Sequence, residues 1–222
     1  MHVQPDHPVV VCASLEQGRA WCEATLGATP QAGGQHAHMG THNLLLNLSA
    51  PGQDKVYLEL IAIDPQAPAP TRPRWFNMDE AALQAKVAEA PQLVAWVARS
   101  PQIDMHRWGM ITVGVHPGTT VAASRQRADG SELRWQIVLR DDGKRQLDGA
   151  VPVLIQWSGE HPCDRLPASG VGLVDLSARG LPPRVVEVMR LRGVQRPADE
   201  GPALSVRLST PLGERELVSP RW

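Results

Sequence analysis

Apolar runs and short polar breaks alternate along the chain in a repeating order. His7 to Ala13 (HPVVVCA) is a β-rich run, and Ser14-Leu15-Glu16-Gln17 after it reads as a capping box in which the Ser14 hydroxyl accepts from the Gln17 amide. Leu15, Cys22 and Leu26 recur at helical spacing and Gly27 suits a left-handed stop, which predicts a helix over 15–26. Three strands are predicted next, about Gln31 to Met39, His42 to Leu48 and Lys55 to Ile63, broken by Gly40-Thr41 and Ser49-Ala50-Pro51-Gly52. The unit is βαβββ.

Residues 64–74 carry four prolines in eleven positions, which blocks both helix and central strand and predicts an extended connector. Asp79 then caps a helix reaching about Ala90, where Pro91 ends it. Leu93 to Ala98 predicts a strand, Ile103 to Ile111 a helix, and Val121 to Arg127 pairs with Glu132 to Leu139 across the Asp129-Gly130 hairpin signal. Val151 to Ser158 has the shape of KVYLELIA, with Gln156 in the place of Glu59, so the second half reads as a degenerate copy of the first. Gly170 to Ala178, a helix from Pro182-Pro183 to near Gly193, and a hairpin of Leu204 to Leu208 with Glu214 to Val218 complete the chain. The predicted class is α+β: paired βαβββ modules whose curved mixed sheets surround a cleft, with a C-terminal strand-helix-hairpin extension. The expected divisions are 1–64 (first module), 65–91 (connector and helix), 92–160 (second module) and 161–222 (extension).

Glu59 changes this picture, because it interrupts an apolar strand and shares a face with Tyr57 and Ile61. A buried carboxylate without a partner costs several kcal/mol or takes up a proton. Partners are available upstream, in Asp6-His7 and in the block GGQHAHMGTHN from Gly33 to Asn43. A structural His7–Glu59 pair and a functional site both satisfy this pattern. Composition narrows the rest. A net charge of −1 offers no footprint for nucleic acid, no basic run marks a membrane surface, and no stretch has membrane-spanning length. Cys12, Cys22 and Cys163 form no CxxC pair, and Cys12 and Cys22 read as small core residues in a reducing compartment, so a cytoplasmic location is expected. Trp75, Trp135 and Trp157 read as core, with Trp75-Phe76 also placed to wall a pocket; His38 and His42 read as loop or outward-facing, and His106 and His116 as solvated. Gly33-Gly34 and Gly40 read as a bulge and a tight turn, since no helix start follows them for a phosphate.

Asp6-His7, the GGQHAHMGTHN block, YLELIAID, Trp75-Phe76 after the proline connector, and LIQW with His161-Pro162 together resemble the glyoxalase-like domain proteins of the vicinal oxygen chelate superfamily. The match covers about residues 5–180. The resemblance implies a divalent metal in the cleft that chelates vicinal oxygens of a substrate. Carried over residue by residue, it places His7 on the first strand and Glu59 on the fourth as ligands; His36, two residues from His38 on one predicted strand face, is the candidate third. The second module offers only Gln156 on its fourth strand and Leu93, Val94 or Trp96 on its first. Glu59 and Asn43 are then the expected catalytic residues, and Thr41, Asn43, Trp75 and Gln156 the expected substrate pocket. The implied function is lyase, isomerase or dioxygenase chemistry on a small oxygen-rich molecule, or metal-free binding and sequestration of a small-molecule ligand. The resemblance also allows a homodimer.

Overall fold

The computed structural model describes residues 1–126 and 130–220. β1 (Gln4–Val11) leads into α1 (Leu15–Leu26), whose Ser14 cap accepts from the Gln17 amide while Gly27 takes φ 66 at the other end. β2 (Gln31–His36), β3 (Thr41–Asn47) and β4 (Tyr57–Ile63) complete the first βαβββ order. After the connector come α2 (Ala81–Glu89), β5 (Gln92–Arg99), α3 (Ile103–Thr112), β6 (Thr119–Gln126), β7 (Glu132–Leu139) and β8 (Val153–Ser158), the same order again. β9 (Gly172–Ala178), α4 (Pro183–Met189), β10 (Leu204–Thr210) and β11 (Gly213–Val218) follow.

The first eight strands make one curled mixed sheet in the order β2-β3-β4-β1-β5-β8-β7-β6. In each half the first strand runs parallel to the fourth, Val9 opposite Glu59 and Val97 opposite Val153, and the halves meet where β1 and β5 pair antiparallel. Alternation sorts the side chains onto two faces. Val10, Leu44, Leu58, Leu60, Trp96 and Leu154 face the helices and the separate β11-β10-β9 sheet, forming the larger core. Val9, Ile61, Val97, Trp135, Ile137 and Ile155 face the concave side with Trp75 and Phe76. That second face builds the site.

Several expectations shift. β2 ends at His36, and His38 lies in the following turn, so the two histidines do not share a strand face. Asp79 does not cap α2: Glu80 holds the cap position, and Asp79 is drawn to Arg74, accepting at 2.6 Å from its guanidinium and at 2.7 Å from its amide. α4 stops at Met189, well before Gly193, because Arg190 enters the left-handed region. His106 is buried and bonded to Ser100 Oγ at 2.8 Å, where a solvated side chain was expected. The β6–β7 pairing is present, but Arg127 and Asp129 of the expected hairpin lie outside the described residues.

Gln156 departs most informatively. Its neighbours Ile155 and Trp157 line the concave hollow, so the strand period turns Gln156 to the opposite face, where its Oε1 accepts from the Ile103 amide at 2.8 Å and caps α3. It does not line the concave hollow, where the substrate pocket is expected. Gln156→Ala should cost about 1 kcal/mol, the usual worth of an N-terminal cap, measured by urea denaturation.

Candidate functional site

The concave face of the sheet borders a hollow whose polar wall comes from His7, His36, Asn43, Glu59 and Arg125. β1 supplies His7, and a local irregularity decides how. Pro5 pairs with Ala98 and His7 with Val97, so Asp6 is an extra, bulged residue. Consecutive strand residues normally point to opposite faces. The bulge instead lets Asp6 Oδ1 accept from His7 Nδ1 at 2.7 Å.

Asp6 is fully buried and gathers donors from distant parts of the chain. Its Oδ2 accepts from Trp157 Nε1 at 3.0 Å and from His161 Nε2 at 3.1 Å, and Arg99 stands 3.5 Å away. The Cys163 amide donates to His161 Nδ1, which assigns the proton of that ring to Nε2, facing Asp6. Burial alone would raise the Asp6 carboxyl, but the bonds from His161 and His7 outweigh it and hold Asp6 well below the usual carboxylate range. For His7, burial opposes the imidazolium; the bond to Asp6 and the nearby Glu59 carboxylate win and raise it to about 9. Tyr57 stacks on the His7 ring with centroids 4.3 Å apart and fixes its plane.

On the other side of His7, Nε2 lies 3.6 Å from Glu59 Oε2, an ion-pair distance too long for a made hydrogen bond. Glu59, on β4, is 6% exposed and meets the hollow. Burial favours its neutral form, yet the interaction with His7 prevails and lowers its pKa, so it stays ionised. Its other oxygen accepts from Asn43 Nδ2 at 2.5 Å. Asn43 cannot turn over freely, because its Oδ1 accepts from the Gly34 amide at 2.8 Å. The glycines permit this contact. β2 shifts register between Ala32 and Gln35, and a Cβ on Gly33 would lie 2.0 Å from Asn43 Oδ1. A Cβ on Gly34 would meet Arg125 of β6 at 2.7 Å, which shows how closely the two edges of the curled sheet approach.

His36 donates from Nδ1 to Thr41 Oγ1 at 3.0 Å and accepts at Nε2 from Asn43 Nδ2 at 3.4 Å. Burial pushes it down to about 4, so it is neutral. Thr41 thus sits behind His36 and does not line the hollow, contrary to its expected place in a substrate pocket. The expected metal set fails a simple test of fit. A donor N–H, that of Asn43, occupies the space between His36 Nε2 and Glu59, and module two faces the hollow with the cation Arg125 and with Val97, Leu133, Trp135, Ile137, Ile155 and Trp157. Among the described residues no three His, Cys, Asp or Glu side chains converge as a metal-holding group. His7 and Glu59 alone fall short of the three protein ligands that catalytic sites usually provide.

The structure therefore brings His7, His36, Asn43, Glu59 and Trp75 to one hollow, and sets Thr41 behind it and Gln156 across the sheet. Asp6, Tyr57, Trp157 and His161 complete the network, and sequence reasoning did not place them in the site. The hints were Asp6-His7, the face that Tyr57 shares with Glu59, and LIQW with His161-Pro162.

A family model described as glyoxalase-like domain matches residues 6–190. No curated protein matches the chain. Among solved structures, a hypothetical protein from Staphylococcus aureus aligns over 99% of this chain and 87% of its own, with TM-score 0.57 and 12% identity. Methylmalonyl-CoA epimerase from Streptomyces coelicolor, in complex with 2-nitronate-propionyl-CoA, aligns over 72% of this chain and 100% of its own, with TM-score 0.44 and 14% identity. The Mycobacterium tuberculosis epimerase aligns over 72% and 90% at TM-score 0.38 and 15% identity. At these identities the structural likeness speaks for the fold alone. No helix among the described residues is long and apolar enough to cross a membrane. Because the family model spans most of the chain, including both βαβββ repeats, the protein belongs to the glyoxalase-like domain family of the vicinal oxygen chelate superfamily.

Proposed function

We propose that the hollow binds a small molecule carrying a carbonyl or vicinal oxygens and moves a proton at the adjacent carbon, as an isomerase or lyase. One observation carries this reading: an ionised carboxylate, Glu59, meets the hollow beside an imidazolium that Asp6 holds from behind. Glu59 Oε2 takes the proton from carbon, the bonding pair moves into the carbonyl, and His7 Nε2–H stabilises the oxygen where charge develops. Returning the proton from Glu59 to the former carbonyl carbon, while the hydroxyl proton passes between the two vicinal oxygens, isomerises the substrate; loss of a group with its bonding pair from the next carbon, as the enolate re-forms the carbonyl, completes a lyase reaction. Asn43 holds the second Glu59 oxygen, which leaves one oxygen to act. Asp6 and Tyr57 keep the His7 ring in place. No step is assigned to a metal, because the donors present do not converge on one.

A second reading is favoured by the opposite wall, which is wholly aliphatic and aromatic across β5, β7 and β8: metal-free binding of a small molecule without turnover. Solvent-deuterium uptake separates the two. In D₂O, the protein should exchange the C3 protons of 2-oxo acids or the carbinol protons of 2-hydroxy ketones, followed by ¹H NMR, and Glu59→Gln should slow this by 10² or more, the usual weight of a general base. Saturable binding with no exchange above the buffer rate would leave sequestration as the function.

A further inference from the structure

Trp75 and Phe76 line two hollows at once. Beside the one over Glu59, a second, small hollow shares the same two rings, with Met39, Ala95, Leu139, Val151 and Val153 among its walls. The rings stack, centroids 5.6 Å apart and planes at 28°, so the barrier between the hollows is a pair of aromatic side chains and no backbone sheet.

The chain accepts strain to keep them there. Phe76 and Asn77 both hold positive φ, 58 and 61, a left-handed region that non-glycine residues seldom occupy. Three bonds fix the turn: Asn77 N donates to Gly143 O at 3.0 Å, Arg145 N to Asn77 Oδ1 at 2.8 Å, and Asn77 Nδ2 to Glu80 Oε1 at 2.8 Å. Gly143 is needed for this approach, since a Cβ there would lie 2.1 Å from the Arg74 carbonyl oxygen. Trp75 is 6% exposed, and its Nε1–H has no acceptor among the described residues.

The two hollows also differ in chemistry. The first holds Glu59, His7, Asn43 and Arg125; the second carries no carboxylate and sets Arg140, Lys144 and Arg145 around an apolar floor. We propose that Trp75 and Phe76 form a partition that sets substrate length: the ligand is a 2-oxo or 2-hydroxy compound with its oxygens at Glu59 and an unbranched apolar tail that ends against Trp75. This rests on the proton-transfer reading for the head of the ligand, and on the two-hollow geometry for its tail.

The test is calorimetric titration with the saturated 2-oxo carboxylates from 2-oxobutanoate to 2-oxodecanoate, against wild type, Trp75→Ala and Phe76→Gly. Phe76→Gly removes a ring at a position whose φ suits glycine, so it thins the barrier without adding strain. Wild-type affinity should rise over the first members and then break. In both variants the rise should continue past that break, by roughly fourfold per methylene, the worth of burying one CH₂. A chain-length profile shared by all three proteins would overturn the partition, as would a wild-type rise with no break, or no binding at any length. Deuterium exchange stays a separate readout: exchange with an unbroken profile refutes the partition alone, while a break without exchange refutes the proton transfer alone.

Discussion

Asp6→Ala loses about 3–5 kcal/mol of folding stability, the cost of removing one member of a buried charged network while its partners stay buried. The substitution leaves His7 Nδ1, His161 Nε2 and Trp157 Nε1 facing a space with no acceptor, and Arg99 without its nearby carboxylate. Chemical denaturation near pH 6 measures the loss. Asp6→Asn tests the charge separately, since the amide keeps the volume but presents a donor on one side.

The same network sets a pH window. The His7 pKa is raised from 6.5 to about 9 in the folded protein, so its contribution is fully present below 6.5 and disappears as pH climbs towards 9. That amounts to roughly 3 kcal/mol by linkage. Asp6 behaves in the other sense. Its folded pKa is depressed below 3.8, so its contribution is present above that value and is lost as acid protonates it. Both shifts report one contact and are counted once. Stability should be greatest between about pH 4 and 6.5, and Asp6→Asn should flatten the decline on the alkaline side. An unchanged alkaline slope in Asp6→Asn would show that Glu59 alone raises His7.

Gly33→Ala is expected to cost roughly 2–4 kcal/mol, which combines overpacking with loss of a charged hydrogen bond. The new Cβ would stand 2.0 Å from Asn43 Oδ1 and 3.0 Å from the Asn43 carbonyl oxygen, so the side chain must leave its place. Displacing Asn43 also removes the 2.5 Å bond to Glu59. The double variant Gly33→Ala, Asn43→Ala should recover part of the stability, because the truncated side chain no longer collides. Equal stability of Gly33→Ala and wild type would mean that β2 moves away at no cost.

Much of the fold was legible because it depends on neighbours in sequence. The Ser14 cap, the α1 register and the Gly27 stop obey short-range rules, and each stands where the pattern put it. Glu59 was legible for the same reason: a carboxylate on the apolar face of a strand signals a partner wherever the strand goes. Asp79 shows the limit of that reasoning, since a good capping residue was taken by Arg74, five positions away, instead. His106 was misread because its burial depends on α3 lying against the sheet and α4.

By itself the sequence determined the two βαβββ units, their breaks, and the presence of one carboxylate that needed company. These follow from periodicity, caps and the cost of burying charge, all of them local. Tertiary structure alone decided which face of each strand became the hollow, and so turned Gln156 away while admitting Ile155 and Trp157. It also decided that Asp6 would be squeezed out as a bulge and meet His161 and Trp157, over 150 positions away. A bulge depends on how two strands register against each other, and a partner so distant is selected by the curl of the whole sheet.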